Sequence, residues 1–187
     1  MRKKRVILEI TPVIILCALG GALTGYILGN MTPILKLLPG LIAFVPAIIG
    51  MRGNISSTMG SRLGSAVHLG LLEEGFTSDF VKENLKGSLS LSLFVSFLLP
   101  VFFLGTSALF GFHITLTVFL LLFTISVLTG MTSGILLSTF TFFIVITSVK
   151  FGVDPDNITG PLLTTVGDVL TLIILFTYSS LIGGVIL

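Results

Sequence analysis

Long apolar stretches alternate with short polar ones along the whole chain. Five stretches reach the roughly 20 residues that an α-helix needs to cross the hydrocarbon core of a bilayer. They lie at residues 6–29, 34–70, 87–110, 114–149 and 158–186. The pattern predicts an all-α, polytopic membrane protein, with five transmembrane helices in one transmembrane domain that covers residues 1–187.

The connections between these stretches are less regular. Residues 51–70 are semi-polar, and they either continue the second span or form an unwound section within it. Residues 71–86 carry six charged side chains, which is typical of an amphipathic cytoplasmic connection. We expect a turn at residues 111–113 between the third and fourth spans. The last span is expected to begin near Pro161, at a first-turn position that tolerates proline.

Composition and charge agree with a membrane location. Of the 187 residues, 53% are hydrophobic and only 10% are charged, whereas a soluble domain has about 25% charged residues. The mean hydropathy is +1.15. The sequence contains no HExxH, GxSxG or Walker-type glycine motif, so we expect neither an enzyme nor a nucleic-acid-binding protein.

A basic cluster at residues 2–5 precedes the first apolar stretch. This start is also compatible with a cleaved secretory signal, but the apolar stretch is longer than a signal core and further spans follow. The positive-inside rule then places the N-terminus in the cytoplasm and, after five crossings, the C-terminus outside. Lys82, Lys86 and Lys150 fall on the cytoplasmic side, and Lys36 is one exception. We expect a multi-pass protein of the cell membrane.

Asp168 is the only charged residue between Pro161 and Leu187. A charged side chain at the centre of a bilayer costs at least about 2.5–3.5 kcal/mol, and such residues usually line a polar cavity or an ion path. On a helix, Thr164 lies one turn before Asp168, with Thr165 and Thr171 to either side. The four residues are expected to form one polar stripe.

Three more oxygen donors precede this helix at its cytoplasmic end: Asp154, Asp156 and Asn157. Oxygen donors suit hard cations such as Mg²⁺ or Ca²⁺. The alternative is that the two aspartates only cap the helix and shape its turn.

Residues 50–70 combine two faces on a helical wheel. The small face contains Gly53, Ser57, Gly60 and Gly64, and the polar face contains Asn54, Thr58, Ser61, Ser65 and His68. Small residues let a second backbone approach closely in a membrane. The polar face then either lines a hydrated space or bonds to neighbouring backbones. Arg52 and Arg62 have three alternatives: snorkelling, contact with lipid phosphates, or pairing with an acid.

Residues 87–149 contain no Asp, Glu, Lys or Arg but many hydroxyl groups, including those at residues 129–134. These hydroxyls either bond to carbonyls of their own helix or mark a helix break whose carbonyls face the path.

These motifs resemble those of the MgtE-type magnesium channel and transporter family, above all its eukaryotic solute-carrier branch and its prokaryotic single-module relatives. The resemblance rests on the segment 154–168, on Pro39 to Ala47, and on the motifs at residues 52–54 and 61–63. It implies a homodimer, or a heterodimer with a sister chain, whose cation path lies at the dimer interface. Asp168 then matches the pore aspartate for hydrated Mg²⁺, and Asn54, Thr164 and Thr165 match positions that support its water shell.

The function expected from the resemblance is divalent cation transport, with Mg²⁺ as the transported ion and Mn²⁺ or Co²⁺ as further candidates. The expected partners are membrane lipid and a second module. One alternative is an exchanger or exporter that couples Mg²⁺ to Na⁺ or H⁺. A second alternative is a non-transporting membrane subunit of a larger complex, which would leave Asp168 without a role.

Overall fold

The structure, a computed structural model, describes residues 2–38, 40–71, 78–109 and 114–186. These residues form α1 (Arg2–Asn30), α2 (Thr32–Leu37), α3 (Gly40–His68), α4 (Asp79–Leu109), α5 (Leu116–Lys150) and α6 (Pro155–Ile186). All of these helices except α2 are long and apolar enough to cross a membrane. The prediction of an all-α fold with five transmembrane helices is confirmed.

The second apolar stretch was predicted to be one span, but it contains two helices. The short α2 ends at Leu37, and α3 begins at Gly40. From there α3 is continuous to His68, so residues 51–68 of the semi-polar segment continue the span, and residues 69–70 lie in the turn that follows. The glycines of this segment are compatible with a helix because Gly53, Gly60 and Gly64 are buried in its packing surface.

Two other boundaries were predicted wrongly. The fourth helix of the chain, α4, begins at Asp79 rather than near residue 87. Its first turns are amphipathic: Val81 and Asn84 are buried, while Lys82 points outward and bonds to Asp79. The last helix, α6, begins at Pro155, so Pro161 lies inside it and not in its first turn. The turn predicted at residues 111–113 lies outside the described residues.

The third helix, α3, lies at the centre of the arrangement and packs against α4, α5 and α6. Among the described residues, α1 packs only against α6 and α2. Most of the apolar side chains of α1 are therefore exposed, as expected for a helix that faces lipid tails on most of its surface. The sides of α3 and α6 that no other helix covers remain accessible.

The buried interior has a polar layer between two apolar clusters. One apolar cluster joins α2 and the start of α3 to α5 and α6, around Leu41, Ile48 and Leu175. The other joins the end of α3 to α4 and α5, around Leu63 and Phe142. Between them lie buried polar side chains: Arg52, Ser92, Ser96, Ser126, Thr129 and Ser133.

The helix α4 has its polar side inside and its apolar side outside. Ser88, Ser92 and Ser96 are buried, whereas Phe94 and Phe97 are exposed. Lipid solvates apolar side chains well, so hydroxyls on this helix are satisfied by facing protein. Ser88 and Ser138 share a hydrogen bond of 3.2 Å between their hydroxyls, and the hydroxyl of Ser126 donates to the carbonyl of Ser96 at 2.8 Å.

The helix α5 is unbroken through residues 129–134. The hydroxyl of Ser133 donates to the carbonyl of Thr129 at 2.6 Å, which is the backbone bonding expected for hydroxyls in membrane helices. The hydroxyl of Thr132 lies 2.9 Å from that of Tyr178 on α6. The alternative of a helix break at this segment is therefore wrong.

Candidate functional site

The candidate site begins with a close crossing of α3 and α6. A Cβ atom added to Gly53 would lie 3.2 Å from Cγ2 of Thr164 and 3.8 Å from Oδ1 of Asp168. A Cβ atom added to Gly167 would lie 3.8 Å from Cα of Gly53. Because both positions are glycine, the two backbones approach closely and Asp168 lies directly beside α3.

Three of the four residues of the small face of α3 pack as the sequence predicts, while Ser57 lines a groove. Gly53, Gly60 and Gly64 are buried, and a Cβ atom added to Gly60 would meet Leu163 and Thr159 of α6, at 2.6 and 3.2 Å. Contacts of this kind hold membrane helices together where lipid supplies no hydrophobic driving force. The close packing at this crossing therefore fixes the position of Asp168 along α3.

The carboxylate of Asp168 is partly accessible. Among the described residues it has no hydrogen-bond or ion-pair partner. Its helix neighbours Leu163 and Leu172 are fully buried, and it lies fourteen residues, roughly 20 Å of helix, beyond Asp154. An unpaired carboxylate at this depth is costly unless it meets water or a cation.

Thr164, Thr165 and Thr171 do not all share the side of α6 that carries Asp168, so the predicted polar stripe is divided. Thr164 is exposed, and its hydroxyl donates to the carbonyl of Gly160 at 2.9 Å. Thr165 points toward α1, where its methyl group occupies the space beside Gly20, and its hydroxyl bonds to its own helix at 3.0 Å. Thr171 is fully buried. Only Thr164 and Asp168 share the accessible side.

The polar face of α3 remains accessible next to this side. Asn54, Thr58, Ser61, Ser65 and His68 are all exposed. A groove between α3 and α6 is lined by Ser57, Thr58, Ser61, Arg62, Thr159 and Gly160. A second groove, between α3 and α4, is lined by residues that include Asn54, Arg62 and Asn84. Together, this polar face and the Thr164–Asp168 side of α6 form one surface, which we call the polar surface.

The oxygen donors at the start of α6 lie elsewhere. Asp154 precedes the helix, with its carboxylate 3.8 Å from Nε2 of His68, and its carbonyl accepts from the backbone N–H of Asn157 at 3.1 Å. Asn157 is partly accessible, and the side chain of Asp156 lies outside the described residues. Asp154 and Asn157 are thus roughly 15–20 Å of helix from Asp168. Within the described residues, no three His, Cys, Asp or Glu side chains come together as a metal cluster.

The sequence reasoning missed the environment of Arg52. Its side chain is 1% exposed, so it neither snorkels nor reaches lipid phosphates, and in the described part of the chain it pairs with no acid. Instead Nη1 donates to the hydroxyl of Ser92 at 2.5 Å. A signal was present in the four-residue spacing of Ser88, Ser92 and Ser96 on one face of α4, in the part of the chain that carries no Asp, Glu, Lys or Arg.

Comparison with known proteins points to one family. The family profile described as MgtE, divalent cation transporter, matches residues 45–178. Solute carrier family 41 member 3 of Rattus norvegicus is 29% identical over 170 residues, which cover 89% of this chain and 37% of that protein. The Mus musculus member 3 is 31% identical over 149 residues, covering 79% and 30%.

A third relative is solute carrier family 41 member 2 of Xenopus laevis, 32% identical over 147 residues that cover 76% of this chain and 26% of that protein. The chain therefore spans roughly a third of the length of these relatives. The region that matches the family profile, residues 45–178, contains α3, α4 and α5 almost completely, together with the part of α6 that carries Asp168.

Proposed function

Since the chain belongs to the MgtE family of divalent cation transporters, we propose that it transports Mg²⁺ across the membrane, with Asp168 as the ion-attracting carboxylate. The observation that carries the proposal is the state of this side chain. It is at mid-span, partly accessible, and without a hydrogen-bond or ion-pair partner among the described residues. A transported cation is the partner that such a group lacks.

The proposed path runs along the polar surface between two copies of the chain. In a symmetric dimer the same surface of each copy faces the other, so two Asp168 carboxylates meet near the two-fold axis. Their combined charge of −2 in a low-dielectric setting favours a divalent ion over a monovalent one. Within one chain a single carboxylate supplies only half of this charge.

The ion is proposed to keep most of its water. Mg²⁺ dehydrates reluctantly and prefers octahedral oxygen geometry, with one or two carboxylates and several waters. Asn54 and Thr164 lie on the accessible side with Asp168, and they are suited to bond to these waters. Thr165 faces α1, and its proposed contribution is indirect, through the position of α6.

Asp154 and Asn157 are proposed to act at the cytoplasmic end of the path. Their oxygens attract hydrated cations to the end of the groove between α3 and α6, before the ions reach Asp168. The proposed order is therefore attraction at the start of α6, followed by a binding step at mid-span.

Flux measurement on the 187-residue chain tests the proposal. Reconstituted in liposomes that contain a Mg²⁺-sensitive dye, the protein is expected to admit Mg²⁺ along its gradient. Flux no greater than in protein-free liposomes would reject transport and support a non-transporting subunit. If flux requires an opposing Na⁺ or H⁺ gradient, the protein is an exchanger.

The dimer arrangement makes a separate prediction. Cys17 is the only cysteine, so Cys17→Ser gives a background free of thiols. In that background Ser61→Cys, on the polar surface, is expected to form a disulfide-linked dimer when membranes are treated with a mild oxidant. Gel electrophoresis without reductant measures the product.

The control for this experiment is Phe143→Cys on α5, whose side chain is 55% exposed and lies away from the polar surface. It is expected to give little cross-linked dimer. Equal cross-linking at both positions would indicate random collision, and cross-linking at residue 143 alone would place the interface on α5 and reject the proposed path.

A further inference from the structure

Among the described residues, only neutral groups hold the buried guanidinium of Arg52. Its Nη1 donates to the hydroxyl of Ser92, and its Nη2 lies 3.3 Å from both the carbonyl of Ser92 and the hydroxyl of Ser96. Gly130 and Gly134 of α5 leave the space that it occupies, since added Cβ atoms there would lie 3.0 and 2.9 Å from its nitrogens. These contacts fix the charge in place but do not neutralise it.

The charge is more than the packing requires. Arginine stays protonated in proteins, and the Nε of Arg52 has no hydrogen-bond partner. Burying a charge is costly unless it is both paired and hydrogen-bonded, and among the described residues no acid pairs with Arg52. If Arg52 only joined α3 to α4, a neutral side chain could do so at a lower cost. The positive charge itself therefore needs a reason.

The position of Arg52 relative to Asp168 supplies that reason. The next residue, Gly53, packs against α6 beside the Asp168 carboxylate, so the two charges share one depth in the membrane. They lie on different sides of α3, roughly one helix diameter or about 10 Å apart. Residues 87–149 contain no Asp, Glu, Lys or Arg, so α4 and α5 bring no other charge to this depth.

We propose that Arg52 tunes the ion affinity of Asp168, by acting as a fixed positive charge behind the α3–α6 crossing. This inference rests on the proposed function of Asp168. Conduction requires a site that binds well enough for ions to enter and weakly enough for them to leave. Two carboxylates alone would hold a divalent ion tightly. Arg52 repels the bound ion through the protein, and this repulsion speeds its release.

The test compares a neutral variant with a charge-conserving one. Arg52→Met removes the charge and keeps most of the volume, whereas Arg52→Lys keeps the charge and changes the hydrogen bonds. Titration of the purified protein with MgCl₂ is expected to show roughly tenfold tighter binding for Arg52→Met. Maximal Mg²⁺ flux in liposomes should fall, because release becomes slower. Arg52→Lys is expected to bind Mg²⁺ as the wild type does.

If Arg52 had only a structural role, its variants would change Mg²⁺ binding in a different way. Loss of the anchor would weaken Mg²⁺ binding, and Arg52→Lys would share the defect because it cannot bridge Ser92 and Ser96 in the same way. The repulsion by Arg52 is proportional to the charge of the bound ion. The affinity for Na⁺, measured by competition with Mg²⁺, should therefore increase only about threefold in Arg52→Met.

Unchanged or weaker Mg²⁺ binding in folded Arg52→Met would overturn the inference. If that variant does not fold, Arg52→Lys decides: wild-type Mg²⁺ affinity supports the charge role, and a large loss rejects it. Failure of the proposed function has a different signature, because Asp168→Asn would then bind Mg²⁺ normally whatever occupies position 52.

Discussion

Replacing Asp168 with asparagine is expected to lower Mg²⁺ flux by roughly a hundredfold, since two negative charges near a divalent ion are lost from a low-dielectric setting. Asparagine has nearly the same shape, and the carboxylate has no partner among the described residues. The fold should therefore survive the change, and stability should not fall. Flux into liposomes, measured beside the thermal unfolding of the same preparations, checks both expectations.

A matched control removes a carboxylate of the same type at a different depth. Asp79, at the start of α4, has a side chain that is 93% exposed and pairs with Lys82 at 3.1 Å. Asp79→Asn should leave Mg²⁺ flux close to the wild-type value. Wild-type flux in Asp168→Asn, or equal losses in both variants, would contradict an ion site at mid-span.

The helices of this fold could be predicted from the sequence because a helix that crosses lipid requires a long apolar segment, which hydropathy detects directly. What hydropathy could not locate was the start of α4 and the break before α3. The charged residues at 79–86 lower the hydropathy of this segment, yet Val81 and Asn84 face the interior and belong to the same helix. Hydropathy averages the two faces of such a segment, so it cannot separate an amphipathic helix end from a loop.

The candidate site was predictable in part. The four-residue spacing of Thr164 and Asp168 placed both on one side of α6, and the small face of α3 was expected to pack closely. That Thr165 and Thr171 turn away from this side depends on where α1 and the core lie. One helix considered alone does not contain that information.

Arg52 shows the same limit more clearly. In sequence it is a lone charge between two glycine-containing segments, and every simple expectation placed it at lipid or beside an acid. The structure instead surrounds it with serines of α4 and glycines of α5, which are distant in sequence. The serines, four residues apart on α4, form hydrogen bonds with the buried cation, and the glycines, four residues apart on α5, leave space for it. The two helices can be recognised as neighbours only in the assembled structure.

This buried layer makes the second large prediction. Gly130→Ala is expected to destabilise the protein by about 1–3 kcal/mol, because it overpacks a filled space. The added Cβ atom would overlap the hydroxyl of Ser96, and it would lie 2.7 Å from the Cβ of Ser96 and 3.0 Å from Nη2 of Arg52. Rotation of the hydroxyl relieves the first contact, but the Cβ contact requires α4 and α5 to move apart. Thermal unfolding in detergent measures the loss.

Gly105→Ala on α4 provides the comparison, because a Cβ atom there meets nothing within 4 Å. In a helix interior, alanine is favoured over glycine by about 0.5–1 kcal/mol, so Gly105→Ala should be neutral or slightly stabilising. The two variants make the same chemical change in transmembrane helices of one protein, and only the surroundings differ. Equal unfolding temperatures for both variants would show that α4 and α5 are not packed closely around Arg52. The proposal that Arg52 is a fixed charge would then be rejected.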